Sequence, residues 1–212
     1  MNIEVININY ELIIMNCIKV CGMRDAENIQ AVERLGIDMM GFIFWPKSSR
    51  YVGRRPAYLP KCKRVGVFVN EDIEEVKRTA KDFGLNLIQL HGNESPDYVK
   101  QLREWETIKA FNIASADDLE QKKSYDGVAD FFLFDTKGKS VGGNGEKFDW
   151  SVLEDYHGTT PFLLSGGIGP EDAEFLNHWH HPLCIGFDIN SRFEKAPGLK
   201  DAEAIKQFLN YE

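Results

Sequence analysis

Cysteine is scarce in this chain and shows no pairing pattern. The 212 residues carry four, Cys17, Cys21, Cys62 and Cys184, with no CxxC pair and no zinc-type spacing. Thiols this scattered in a chain this long argue against a disulfide framework, so the chain is expected in a reducing cytosol. Long apolar runs are missing as well: no segment approaches the roughly 20 apolar residues that span a bilayer. The opening stretch MNIEVININYELII has no Lys or Arg and so lacks the basic start of a signal peptide. Positive charge is in deficit, 25 Lys and Arg against 33 Asp and Glu, for a net charge of −8. That balance argues against nucleic acid or an anionic membrane surface as the main partner. It leaves an anionic small molecule open, because backbone dipoles act locally. No linker, low-complexity tract or charge block divides the chain, and its length is that of one domain.

What is present is a series of apolar, strand-like runs that each end on a polar side chain. CIKV runs into Cys21, RVGVFV into Asn70, LIQL into His91, FFLF into Asp135, PFLL into Ser165 and CIGF into Asp188. Strands are expected at Cys17–Cys21, Met39–Phe44, Arg64–Val69, Leu87–Leu90, Thr107–Phe111, Phe131–Phe134, Pro161–Leu164 and Leu183–Phe187. Helices are expected between most of them: Asp25–Leu35, Asp72–Phe83 with a Gly84 stop, Pro96–Arg103, Ala116–Lys123, a short one near Trp150–Tyr156, Pro170–His178, and Asp201–Leu209. The connection after the second strand, WPKSSRYVGRRP, has little helical pattern.

Eight strand–helix units with no interposed hairpin imply parallel strands and crossover helices. An open doubly wound sheet is the rival, but it carries its phosphate loop after the first strand, whereas the best such loop here follows the seventh. The expectation is α/β, a single-domain (β/α)8 barrel over residues 17–212, with all polar strand ends gathered at one mouth. Residues 1–16 stand outside the alternation. They are expected to be an extra strand or a disordered leader, with Met15 as a candidate start.

Four features at that mouth carry chemistry. LLSGGIGPEDA (163–173) places Gly166 and Gly167 where backbone must approach a ligand closely. With the turn Asp188–Ser191 after the eighth strand, its N–H groups are suited to a phosphate. A lone glycine pair is otherwise only a turn; its place after the seventh strand favours the phosphate reading. In KVCG (19–22), Cys17, Lys19 and Cys21 share one strand face. A buried Lys there needs the polar mouth or a buried carboxylate. Cys21 is either a small buried hydrophobe or a catalytic thiol whose thiolate Lys19 favours.

Asp135 shares a face with Phe131 and Leu133 and is either a loop anchor or an acid. Burial beside Phe132 and Phe134 would raise its pKa and favour the acid. The glycines of VGGNG (Gly142, Gly143, Gly145) suit a loop that folds over a ligand, or mere flexibility. In the basic run 46–55, Arg50 is either solvated surface or a partner for a substrate carboxylate. His91 has the right chemistry for proton transfer but no partner visible in the sequence, which favours a structural role.

KVCG, GFIFWPKSSRYV, VGVFVNE, IQLHGNES, DTKGKSVGGNGEKFDW, LLSGGIGPEDA and FDINSRFEKAPGLKD, in this order, resemble the phosphoribosylanthranilate isomerase family of tryptophan biosynthesis over about residues 17–210. The resemblance implies a small (β/α)8 barrel. It also implies an Amadori rearrangement of N-(5-phosphoribosyl)anthranilate to the 1-deoxyribulose 5-phosphate, with no cofactor or metal; no obligate protein partner is evident in the sequence. It assigns Cys21 as general base, Asp135 as general acid and Arg50 as the contact for the anthranilate carboxylate. The phosphate falls to Gly166, Gly167, Asn190 and Ser191. Arg192 departs from the family's small glycine at that turn and would alter it or set a cation beside the phosphate. The histidine-pathway aminoaldose isomerase is the same-fold alternative; it uses two carboxylates and a two-phosphate substrate, and Cys21 argues against it. A non-catalytic barrel that senses a phosphorylated ligand is the remaining alternative.

Overall fold

The computed structural model describes residues 17–120, 122–136 and 150–210. The expected leader (1–16) and the glycine-rich loop with Gly142, Gly143 and Gly145 lie outside the described residues. Eight parallel strands close into a barrel in chain order: β1 (Cys17–Cys21), β2 (Met39–Ile43), β3 (Lys63–Phe68), β4 (Leu87–Leu90), β5 (Glu106–Ile113), β6 (Phe131–Thr136), β7 (Phe162–Ser165) and β8 (Cys184–Ile189). The ring closes where β8 pairs with β1, Cys17 against Gly186 and Lys19 against Asp188.

The local signals that start and stop helices act as read. In α1 (Ala26–Glu33) the Asp25 carboxylate accepts from the Asn28 N–H at 2.9 Å. In α2 (Ile73–Phe83) Asp72 accepts from Glu74 N–H, and Gly84 ends the helix in the left-handed region at φ 57°. Val76 and Ala80, four apart, bury one face of α2. Shorter helices are α3 (Pro96–Val99), α4 (Ala116–Glu120), α5 (Ala173–His178) and, after β8, α6 (Ala202–Leu209), which Asp201 caps.

The eight units are not all strand–helix pairs. The β2–β3 connection contains no helix, in keeping with Pro46, Pro56 and Pro60. Residues 150–155 form a 3-10 helix instead of an α-helix, and 170–172 form another ahead of α5. A small hairpin, β9 (Glu194–Ala196) and β10 (Leu199–Lys200), follows β8 and precedes α6.

Alternation along the strands divides the interior into two. Outward side chains, among them Val20, Phe42, Phe68, Phe132 and Phe134, join the layer between barrel and helices. Inward side chains form a separate apolar plug of Met39, Val65, Leu87, Ile108, Ala110, Leu133 and Leu163. Two residues further along several of these strands the inward positions turn polar: Gln89, Asp135 and Ser165. The plug is the floor on which the mouth is built.

Candidate active site

Above that floor lies a cavity of about 170 Å³ lined by residues from every barrel strand but β5, and by their loops. Cys21, Gln89, His91, Asp135, Asp188 and the turn Ser165–Ile168 face it, with Asn190 and Ser191 on the adjoining loop. Of the polar residues that end the apolar runs, Cys21, Asp135, Ser165 and Asp188 lie within β1, β6, β7 and β8, while Asn70 and His91 fall just past β3 and β4.

Lys19 has no exposed surface, and the carboxylate it needs is Asp188. Its ammonium donates to Asp188 Oδ1 at 2.8 Å across the β1–β8 seam. Burial pulls the Lys19 pKa down, but Asp188 and Cys21 more than offset this and hold the ammonium above its ordinary range. Lys19 does not make Cys21 acidic, contrary to the sequence expectation. Burial pushes the Cys21 thiol up, and the opposing pull of Lys19 is blunted because Asp188 shares that charge. Space for the thiol comes from Gly41, paired with Cys21 in register.

Asp135 reaches the cavity from β6 with its side chain 20% exposed. Phe132 and Phe134 do not flank it, since they point outward into the helix layer. Its neighbour is His91, whose Nε2 lies 3.6 Å from Asp135 Oδ2. His91 therefore has the partner that sequence reading missed. The other ring nitrogen is 2.9 Å from Gln89 Nε2; with the amide so oriented, Nδ1 accepts and Nε2 carries the proton toward Asp135. The loop that carries His91 is fixed by Glu94, which accepts from the Asn70 and Gly92 N–H groups. Glu94 in turn pairs with buried Lys109 at 3.2 Å.

Gly166 and Gly167 both lie at positive φ, 98° and 70°. At Gly167 an added Cβ would meet nothing within 4 Å, so the loop leaves open space above its backbone. Asp188 and Ile189 are strand residues, which leaves Asn190 and Ser191 as the loop partners beside the glycines. Arg192 is turned away to an ion pair with Glu171. Arg50 does not line the cavity; its guanidinium is held at the rim by Glu194. Among the described residues no group of three His, Cys, Asp or Glu is placed to hold a metal ion.

A closed parallel barrel with a thiol, a carboxylate and a glycine-rich turn at its C-terminal mouth is the layout of a (β/α)8 enzyme. Comparison with known proteins narrows the class. The family model "N-(5'phosphoribosyl)anthranilate (PRA) isomerase" matches residues 18–211, and the chain belongs to this family of aldose–ketose isomerases of tryptophan biosynthesis. The N-(5'-phosphoribosyl)anthranilate isomerase of Phocaeicola vulgatus is 50% identical over 196 residues, 91% of this chain and 96% of that protein. That of Parabacteroides distasonis is 48% identical over 201 residues, 91% of each. The crystal structure of phosphoribosyl anthranilate isomerase from Thermotoga maritima superposes with a TM-score of 0.77 at 32% identity, covering 92% of this chain and 97% of that one.

Proposed function

We propose that Cys21 and Asp135 act as general base and general acid in the rearrangement of N-(5-phosphoribosyl)anthranilate to 1-(2-carboxyphenylamino)-1-deoxyribulose 5-phosphate. One observation carries this reading: the thiol of β1 and the carboxylate of β6 line one cavity, above an apolar floor and beside the paired glycines. A phosphoribosyl anthranilate isomerase structure holding reduced 1-(o-carboxyphenylamino)-1-deoxyribulose 5-phosphate, similar at a TM-score of 0.77 and 31% identity, supports a ligand of this shape.

The chemistry needs two proton-transfer groups on opposite sides of the sugar. Protonated Asp135 gives its proton to the ring oxygen as the C1′–O bond breaks, and the anthranilate nitrogen takes up the positive charge as an iminium. That charge acidifies C2′–H, and the Cys21 thiolate removes the proton to leave an enolamine. C1′ then takes the proton from Cys21 while O2′ loses one, restoring Asp135 and giving the ketone. All steps are proton transfers, so the reading requires no cofactor or metal.

In this reading the phosphate sits against Gly166, Gly167, Asn190 and Ser191, and Arg50 takes the anthranilate carboxylate. The reaction is placed in the cytosol on a free small-molecule substrate, without an obligate protein partner, nucleic acid or membrane. No helix among the described residues is long and apolar enough to cross a membrane. The test is to mix purified protein with freshly generated phosphoribosylanthranilate and follow the loss of anthranilate-type fluorescence. A decay no faster than the uncatalysed one would overturn the assignment.

A further inference from the structure

Arg50 is the expected contact for the substrate carboxylate, yet in the structure its guanidinium already holds a carboxylate of the protein. The side-chain stem passes over Gly22, the residue after Cys21: a Cβ there would lie 2.7 Å from Arg50 Cδ and 3.0 Å from Asn190 Oδ1. The guanidinium then meets Glu194 along one edge. Nε donates to both carboxylate oxygens, at 2.9 and 3.0 Å, and Nη2 donates to Oε2 at 2.6 Å. Among the described residues Nη1 has no acceptor.

Glu194 is itself anchored from a second side. Its side chain is 4% exposed, and it accepts from the buried Lys200 ammonium at 2.6 Å and the Gly198 N–H at 3.0 Å. Lys200 also donates to Asn190 Oδ1 at 2.6 Å. One carboxylate thus joins two cations, and the network carries one positive charge in excess, beside the thiol and the turn after β8. Burial pushes the Glu194 pKa up, but the hydrogen bonds from Arg50, Lys200 and Gly198 outweigh it and keep the carboxylate ionised. Glu194 is held too firmly to be the group a substrate displaces, since leaving would strand Lys200 as an unpaired buried cation. An incoming carboxylate finds the other edge of the fork, the Nη1 side.

We propose that Glu194 is a specificity-determining positioning residue: by holding the Nε–Nη2 edge of Arg50, it presents the Nη1 edge to the aromatic carboxylate of the substrate. Lys200 ties the same carboxylate to Asn190, so the carboxylate and phosphate ends of the site share one support. This rests on the assignment of Arg50 above. A planar guanidinium recognises a carboxylate by orientation as well as charge, so the support matters only for a substrate that bears the carboxylate.

The test compares N-(5-phosphoribosyl)anthranilate with N-(5-phosphoribosyl)aniline, which lacks the carboxylate. Glu194→Gln should raise KM for the anthranilate compound about tenfold, the scale of one charge-assisted contact, with kcat changed less than about twofold and little effect on the aniline compound. Glu194→Asp keeps the charge that Lys200 needs but withdraws the carboxylate by one methylene. It should show the same split should the amide variant fail to fold. In an Arg50→Ala background neither change should raise KM further. Equal KM increases for both compounds, or additive effects in the Arg50→Ala background, would reduce Glu194 to a structural residue and overturn the proposal. If Arg50→Ala itself leaves KM for the anthranilate compound unchanged, the assignment of Arg50 fails, and this proposal with it. If Arg50→Ala raises KM while both Glu194 variants leave it alone, only this proposal fails.

Discussion

Gly41 and Cys21 face each other across the β1–β2 pair so closely that a Cβ on Gly41 would lie 2.7 Å from the Cys21 sulfur. The thiol occupies the space that the missing side chain leaves. Gly41→Ala must therefore move the sulfur or the strand, at about 1–3 kcal/mol of stability for an overpacked interior. Displacing a reacting group by even about 1 Å can cost roughly 10²-fold in rate. The expected outcome is a folded protein with kcat lowered at least tenfold and KM little changed. Parental kcat in Gly41→Ala would mean that the sulfur's position does not matter to the reaction.

Removing either proton-transfer group should be felt in kcat. Cys21→Ala and Asp135→Asn are each expected to lower kcat by roughly 10²-fold or more, the usual scale of general acid–base catalysis, with substrate binding largely kept. Single-turnover kinetics separates the two effects. Near-parental turnover in Cys21→Ala would take the thiol out of the mechanism.

The raised Cys21 pKa fixes the sign of a pH effect. The thiolate is the scarce form at neutral pH, and its fraction grows as pH rises through the raised value. Four charged groups face it: Lys19 on its own strand, Asp188 on β8, Lys200 on β10 and Arg50 from the β2–β3 loop. Alkylation of Cys21 by iodoacetamide, read peptide by peptide, should still be accelerating above about pH 8.5, where an ordinary thiol is half ionised. A plateau below neutral pH would show a thiolate already formed at rest.

The phosphate turn offers a binding test without chemistry. Gly167→Val puts a branched side chain at a φ of 70° and into the open space above the loop, both against the preference of a β-branched residue. Inorganic phosphate should then compete with substrate far more weakly than in the parent, and KM should rise sharply. Phosphate that binds both proteins equally would move the site elsewhere.

Glu194 also predicts behaviour in acid. Its folded carboxyl titrates below the ordinary range, so its ionised form favours the folded state above the unfolded value of about 4.3. That contribution is lost as pH falls through the lower, folded value. The melting temperature of the parent should drop more steeply below about pH 4 than that of Glu194→Gln.

The barrel was legible because most of its strands, though not β2 or β5, run into a polar residue. The inward-facing alternation Leu133 to Asp135 and Leu163 to Ser165 marks where the apolar floor stops and the mouth begins. Helix caps at Asp25, Asp72 and Asp201 were legible for the same local reason. What escaped were the contacts that only barrel closure creates. Lys19 and Asp188 are 169 residues apart in sequence, and Arg50 and Glu194 are 144 apart. The sequence thus shows that Lys19 needs a carboxylate and sits near Cys21, but not that Asp188 is that carboxylate and already shares its charge. His91 lacked a visible partner because Asp135 lies two strands away on β6. The outward turn of Phe132 and Phe134 was available from the period of two, and it removes the apolar collar expected around Asp135.

The seam between β1 and β8 has a consequence for how the chain comes into being. Lys19 is among the first described residues to leave the ribosome, and Asp188 follows 169 residues later, on the order of 10 s at ordinary rates of translation. Through that interval a cation destined for full burial has no counterion, and the thiol two residues on has no finished wall. Burial of Lys19 therefore waits on β8, and the wall of the reaction site beside the thiol is complete only once the last barrel strand is delivered.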